Sequence, residues 1–311
     1  MNKKSKSKEH IYKEWILKSG FPLENEVLRK INQFFPTSKI DREFEFQSIS
    51  EDGSPNIRSL DFVVTLEKDT KNIPHRNWRR ARDEKTTITL LIDAKYSQDE
   101  HLLFTPSYKK ITERCWPSLI PMLCKDEFND DVTIYRDDFK DLSKILTNIA
   151  SAGAGRKVKE QSRERNSIAS MALQSFQGLS NFLKVKTAEI GKTSDISSHY
   201  NRNAHFFFPI IVTNAPLLLI HDQITIKSIE DSNDISEVCS EKNHLILDMP
   251  NIYDLKEDWN QLKNAYVYSD QNKLKWLENT IIEGSVLVSS LSGLDYLLKE
   301  VKKAYDSISV E

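Results

Sequence analysis

Two aspartates and a lysine stand where ordinary strands would carry apolar side chains. Asp61 interrupts an apolar run between Leu60 and Phe62, and Asp93 and Lys95 lie two residues apart at the end of the run TTITLLIDAK. Because side chains alternate along a strand, Asp93 and Lys95 are predicted to share one face. A buried charge without a partner is costly, so we expect these groups to pair with one another or with a cation.

A fourth charged residue, Glu24, lies on the apolar side of a predicted helix that Pro22 opens and that ends near residue 35. The apolar residues of this helix recur at helical spacing and are Val27, Leu28, Ile31 and Phe35. Glu24 falls on their stripe, whereas Glu26 falls about 200° round the helix. Glu24 is therefore predicted to face the sheet. The alternative is a solvated glutamate that the helix dipole favours in the first turn.

Carboxylates from adjacent strands with a lysine beside the second suit metal-assisted phosphodiester hydrolysis. Mg²⁺ prefers oxygen ligands and also contacts substrate phosphates. A divalent ion favours ionisation of the attacking water and offsets charge that develops on the phosphate, and a neighbouring ammonium assists both effects. The alternatives are a surface ion pair for Asp93 and Lys95, and for Asp61 a turn cap or a pairing with Arg58.

The elements that must position these residues form an α/β pattern. A short helix at 11–17 and the helix at 22–35 precede a β-hairpin, with strands at 42–49 and 57–66, and a strand buried on both faces at 86–95. The remaining predicted elements are helices at 139–150 and 167–185, strands at 205–213, 216–221 and 244–248, and helices at 257–266 and 287–305. This order predicts a mixed central sheet flanked by helices, with a helical C-terminal addition.

This order of elements, with Glu24 on the first helix, Asp61 on a strand and Asp93-Ala94-Lys95 on the next, resembles the PD-(D/E)XK superfamily of restriction-endonuclease-like nucleases. Leu60 stands where that family often has proline. The resemblance covers residues 20–222 and implies a nuclease core with insertions at 67–85 and 100–141. Residues 1–19 are then a basic tail and short helix, and residues 223–311 an acidic, mostly helical extension.

The resemblance implies a Mg²⁺-dependent or Mn²⁺-dependent deoxyribonuclease, an endonuclease of a bacterial restriction or antiviral defence system. Asp61, Asp93, Glu24 and the Ala94 carbonyl would hold the metal, and Lys95 would act on the attacking water. A catalytically silent nucleic-acid-binding or assembly subunit with the same fold is the alternative. A homodimer or a partner subunit through the C-terminal helices is a further expectation, against the simpler packing of those helices on their own core.

The residues expected to contact DNA come mainly from two basic stretches, although the formal net charge of the chain is −2. The stretch at 75–85 carries five basic residues against two acidic ones, and so does the stretch at 156–165. Solvated loops are the alternative for both stretches, and a surface glutamine is the alternative for the last member of the set. The predicted nucleic-acid-binding residues are Arg76, Arg79, Arg80, Arg156, Lys157 and Gln174.

Composition excludes several other classes of protein. With 311 residues, of which 39% are hydrophobic and 29% charged, the chain is expected to fold without disulfides or a structural metal. Three cysteines without a CxxC pair favour a reducing cytoplasm. The most apolar stretch, at 206–220, is broken by prolines and is too short to span a membrane.

Overall fold

The computed structural model describes residues 8–49, 54–70, 84–97, 100–107, 119–122, 149–159, 203–248 and 285–307, and part of a helix at 172–185. In these residues the chain is an α/β structure with eleven strands in one mixed sheet. The predicted class, a mixed central sheet with flanking helices, is confirmed. No helix in the described part of the chain is long and apolar enough to cross a membrane.

Two helices open the chain, α1 (Lys8–Lys18) and α2 (Phe21–Phe34). The strands are β1 (Lys39–Ile49), β2 (Pro55–Thr70), β3 (Glu84–Lys95), β4 (Glu100–Pro106), β5 (Leu119–Met122), β6 (Ala150–Lys159), β7 (Asn203–Thr213), β8 (Leu217–Ile220), β9 (Cys239–Lys242), β10 (His244–Asp248) and β11 (Ser285–Ser290). A short helix (Ile226–Glu230) and a 3₁₀ turn (Ile235–Glu237) follow β8, and the C-terminal helix is Leu294–Ser307.

The sheet runs in the order β1-β2-β3-β7-β11-β10-β6-β4-β8-β9, and β5 pairs with the first part of β7. β1, β2 and β3 are antiparallel neighbours, and β7 lies parallel to β3 over its whole length. A parallel pair needs a crossover connection, and the helix at 172–185 lies between the two strands in the chain. β3, which ends in Asp93-Ala94-Lys95, is thus held by a neighbour on each side.

Helices cover both faces of the sheet at β3. On one face, Leu179 and Phe182 of the helix at 172–185 pack in a core cluster with Leu60 and Leu91. On the other face, α2 and the C-terminal helix pack against the alternate residues of β2 and β3. Fully burying an aliphatic side chain stabilises the fold by about 1.5–3 kcal/mol. The alternating strands and the helical stripes therefore fix which face each helix covers.

The C-terminal part of the chain differs from the predicted helical extension. β10 and β11 lie inside the sheet, where β11 pairs with β7, and the final helix begins at Leu294 rather than at Leu287. The run Ser-Val-Leu-Val-Ser-Ser is β-branched and suits a strand. Gly293 ends this segment next to the backbone of Asn243, where a Cβ atom would come within 2.8 Å of the carbonyl oxygen.

The same helix does not offer its apolar stripe to a partner. Leu294, Leu297, Leu298 and Val301 are buried against α2 and the sheet of the same chain. Lys30 of α2 also forms an ion pair with Asp295, with Nζ 2.6 Å from Oδ2. The stripe therefore completes the chain's own core, and these residues give no support to the predicted dimer surface.

Other differences concern the segments expected to be loops or insertions. The stretch at 151–159 is strand β6, not a loop between helices, and β4 within the expected insertion at 100–141 pairs with it. β6 contains Gly153, where a Cβ atom would approach the Pro106 carbonyl oxygen to 3.2 Å. β8, which follows β7 in the chain, lies between β4 and β9 and is five strands from β7 in the order of the sheet.

The expected insertion at 67–85 begins only after β2 ends at Thr70, and Glu84 already belongs to β3. The predicted helix at 257–266 and most of that at 139–150 lie outside the described residues, as does the interior of the insertion. Cys239 is a free, buried thiol, as the cysteine pattern predicts for that residue.

Candidate functional site

The hairpin of β1 and β2 bends where Asp61 lies. Residues 60 and 62 share a face in a regular strand, yet Leu60 and Phe62 pack into the cores on opposite faces of the sheet. Across the hairpin, between Arg42 and Phe44, Glu43 has φ of 55° and is the one non-glycine residue with positive φ in the described part of the chain. Such backbone conformations cost energy and persist where the surrounding structure holds them.

Beyond this bend, β2 separates from β3, and Asp61 fills the gap. The paired register between the two strands ends at Phe62 and Ile92. The next free backbone N–H of β3, on Ala94, donates to Asp61 Oδ2 at 2.5 Å. A side-chain carboxylate thus replaces a ladder bond. Asp61 is thereby held beside the Asp93-Ala94-Lys95 end of β3.

Asp93 is fully buried, so it is not half of a surface ion pair. Its Oδ1 lies 2.7 Å from Lys95 Nζ, and the Lys95 side chain is 29% exposed. Asp93 and Lys95 therefore share a face of β3, as their spacing predicts. Asp93 Oδ2 is buried and has no hydrogen-bond donor among the described residues. A buried carboxylate oxygen left in this way is costly, and a cation would satisfy it.

The pKa values of this carboxylate pair are raised. Burial raises the pKa of Asp93 to about 7, because the Lys95 ammonium only partly offsets the loss of solvation and the Asp61 charge adds to it. Burial also raises the pKa of Asp61, against the hydrogen bond from Ala94 and the charge of Lys95. Two neighbouring carboxylates in little water resist double ionisation. A bound cation would therefore stabilise the ionised form of the pair.

Glu24 lies at the N-terminal end of α2, close to the same pair. Its half-buried carboxylate has a raised pKa, mainly through burial and next through the negative charge of Asp61. Gly20, which precedes α2 with φ of 83°, leaves room for it, since a Cβ atom there would lie 3.2 Å from Glu24 Oε1. Glu26 is exposed and lies 3.5 Å from Arg29. The helix thus turns Glu24, and not Glu26, towards Asp61.

Glu43 is a carboxylate that the sequence reasoning missed. It is exposed, but its negative charge contributes to the raised pKa values of both Glu24 and Asp61. In the sequence it looks like an ordinary solvent-facing residue of an alternating strand. The hairpin register, which places it opposite Asp61, is the signal that could have identified it.

The oxygen atoms available at this site suit a metal ion that needs few protein ligands. Among the described residues, no three Asp, Glu, His or Cys side chains are arranged to hold a metal ion, so Glu24 does not complete a three-carboxylate set as the side chains stand. Asp61 and Asp93 remain, with the carbonyl of Ala94, which points to the same side of β3 as its N–H. Mg²⁺ is commonly held by one or two carboxylates together with water and substrate phosphates.

Only three of the six expected nucleic-acid-binding residues lie in the described part of the chain, and one of the three, Gln174, lies near this site. Arg76, Arg79 and Arg80 lie outside the described residues. Arg156 and Lys157 lie on β6, four strands from β3, which is about 19 Å at the usual strand spacing. Gln174 Nε2 donates to the Ser59 carbonyl at 2.9 Å, so it holds the strand that carries Asp61.

Comparison of the chain with family models, with curated proteins and with solved structures finds no match.

Proposed function

We propose that this chain is a metal-dependent nuclease that hydrolyses DNA phosphodiester bonds, built on a restriction-endonuclease-like core. The observation that carries the proposal is the buried Asp93. Its Oδ1 lies 2.7 Å from Lys95, and its Oδ2 has no hydrogen-bond donor in the described part of the chain. A strand of purely structural role gains nothing from such a group, since burying it costs stability.

The order and direction of the strands support the nuclease core. A helix, an antiparallel hairpin and a third strand are followed, after β4, β5 and β6, by the helix at 172–185 and by β7, which lies parallel to that third strand. The acidic residues lie where β2 and β3 separate; Asp93 is buried there, while Asp61 is partly exposed. The partial exposure of Lys95 is consistent with access from solvent.

Asp61, Asp93 and the Ala94 carbonyl would hold Mg²⁺ or Mn²⁺, and Glu24 would support the ion from α2. When bound, the ion supplies positive charge that stabilises the phosphate as negative charge develops and favours ionisation of the attacking water. Lys95, kept beside Asp93 by their ion pair, orients that water and stabilises the charge on the phosphate oxygens. The Ala94 N–H fixes the Asp61 carboxylate so that it need not reorganise during the reaction.

A cleavage assay tests this proposal. The full chain is incubated with supercoiled plasmid, linear duplex and RNA in Mg²⁺, Mn²⁺ or EDTA, beside Asp61→Asn and the control Asp41→Asn. Asp41 lies on the same hairpin but pairs with Lys39, its Oδ2 lying 3.2 Å from Nζ. We expect metal-dependent DNA cleavage that Asp61→Asn loses and Asp41→Asn retains. Cleavage in EDTA, or binding without cleavage under every condition, would contradict the proposal.

A further inference from the structure

A cluster of exposed apolar side chains lies at the start of the fold. Of the eleven large hydrophobic residues that are exposed in the described part of the chain, five belong to α1 or to the first residue of α2. These five, here called the α1 surface, are Tyr12 (55% exposed), Trp15 (62%), Ile16 (59%), Leu17 (41%) and Phe21 (61%). Exposed apolar side chains that are concentrated in one short segment often mark an interaction site.

The aromatic residues of this surface are arranged as a platform. Tyr12, Trp15 and Ile16 are spaced so that they lie on one side of α1. The rings of Tyr12 and Trp15 are 5.6 Å apart with an angle of 73° between their planes, so each ring limits the motion of the other. None of the described side chains of α1 is buried, so the helix contributes little to the core.

The α1 surface adjoins the candidate active site. Only Ser19 and Gly20 separate α1 from α2, and the Ser19 N–H still donates to the Trp15 carbonyl at 3.0 Å. Phe21 lies three residues before Glu24, so the two side chains are neighbours on α2. A molecule seated on the α1 surface would therefore continue towards Glu24 and the carboxylate pair.

The charges around this surface favour a polyanion. Residues 1–8 carry four lysines and no acidic residue. Within α1, the exposed Glu9 balances the charge of Lys13, and Lys18 lies 2.9 Å from Glu14, so the excess of positive charge comes from residues 1–8. A lysine-rich segment that directly precedes the aromatic residues in the chain matches the phosphates and bases of an unpaired strand, since lysines neutralise phosphates and bases stack on aromatic side chains.

The charge of this segment argues against a second copy of the chain. Residues 1–18 carry six lysines and two glutamates, so two copies that met through this surface would bring like charges together, which costs affinity. Nucleic acid brings the opposite charge, and phosphate contacts supply much of its affinity.

We propose that the α1 surface binds unpaired bases of a nucleic-acid strand next to the site of cleavage. The inference that this surface binds nucleic acid depends only on the aromatic and lysine residues. The further statement that the bound strand is a substrate depends on the proposed function. The preferred substrate is then DNA with a single-stranded segment, such as a frayed end, a flap or a gap.

Binding is measured in EDTA, so that the result does not depend on cleavage. The full chain is titrated into fluorescein-labelled oligothymidine and into a duplex of equal length, beside Trp15→Ala, Trp15→Phe and the control Ile226→Ala. Ile226 is 78% exposed and lies on the short helix after β8. Base stacking is worth about 1–3 kcal/mol for each base, so we expect Trp15→Ala to weaken oligothymidine binding about 5- to 140-fold.

Trp15→Phe should retain most of the affinity for oligothymidine, and Ile226→Ala should retain all of it. If Trp15→Ala and the wild type bind oligothymidine with equal affinity, the inference is overturned. It is also overturned if the wild type has a higher molar mass in solution than Trp15→Ala, because a second copy of the chain would then occupy the surface. If the wild type binds through Trp15 but cleaves no nucleic acid with any metal, the inference stands and the proposed function fails.

Discussion

Replacing Asp93 by asparagine should change how the stability of the metal-free protein depends on pH. The folded state keeps a proton on Asp93 up to about pH 7, whereas the unfolded chain releases it at the ordinary value of 3.8. As pH rises between these values, the unfolded state ionises and the folded state does not, so the wild type loses stability. Above about pH 7 the loss is complete and amounts to about 4 kcal/mol.

The variant has no carboxylate at this position and does not undergo this loss. Its amide leaves a buried donor without an acceptor, which costs about 1–3 kcal/mol at every pH. The difference in unfolding free energy, variant minus wild type, should therefore rise by about 4 kcal/mol between about pH 4 and about pH 8. The variant is expected to be the less stable protein in acid and the more stable one in mild alkali.

Urea unfolding in EDTA, followed by circular dichroism across this pH range, measures the difference. Asp41→Asn serves as the control for removing one aspartate, and its free energy of unfolding should stay within about 0.5 kcal/mol of the wild-type value. A difference for Asp93→Asn that does not change with pH would refute the reasoning that burial suppresses ionisation of Asp93.

Three further predictions concern the metal, the first helix and the basic insertion. The affinity for Mg²⁺ should rise as the pH approaches about 7, and binding should release a proton, because the ion needs Asp93 to be ionised. Calorimetry in buffers of different ionisation enthalpy measures the proton release, and binding without it would contradict this prediction. Glu24→Gln should lower metal-dependent cleavage and raise the melting temperature in EDTA, and Glu26→Gln should do neither; the reverse result would identify Glu26 as the site residue. Replacing Arg76, Arg79 and Arg80 together by alanine should reduce the steepness with which the logarithm of the duplex-binding constant falls with the logarithm of the salt concentration, by about 0.9 for each lost contact. An unchanged slope would mean that these arginines face solvent.

Much of the half of the fold that carries the candidate site could be predicted from the sequence, because its elements are local. The helix that carries Glu24, the hairpin and the strand ending in Lys95 each have a clear hydrophobic period and are bounded by proline, glycine or a turn. The shared face of Asp93 and Lys95 follows from alternation alone. The burial of Asp93 also follows, since β3 is a continuous apolar run.

The other half could not be read in this way, because its strands pair with distant parts of the chain. β6 is rich in glycine and basic residues, and it becomes a strand only between β4 and β10. β11 begins at Ser285 and lies between β7, which ends at Thr213, and β10, which ends at Asp248, so both partners are distant from it in the chain. The bend at Asp61 and the positive φ of Glu43 are tertiary features, so Glu43 looked like an ordinary exposed residue.

The most direct test of the central claim is single-turnover cleavage of DNA by Lys95→Ala at saturating Mg²⁺, beside the control Lys39→Ala on β1. Lys95 lies 2.7 Å from Asp93, whereas Lys39 is 70% exposed. Removing one group that stabilises developing charge costs about 10²–10³ in rate, so Lys95→Ala should lose at least this much while it still binds DNA. Lys39→Ala should cleave like the wild type. A Lys95→Ala protein that cleaves DNA at the wild-type rate would contradict the assignment of this site.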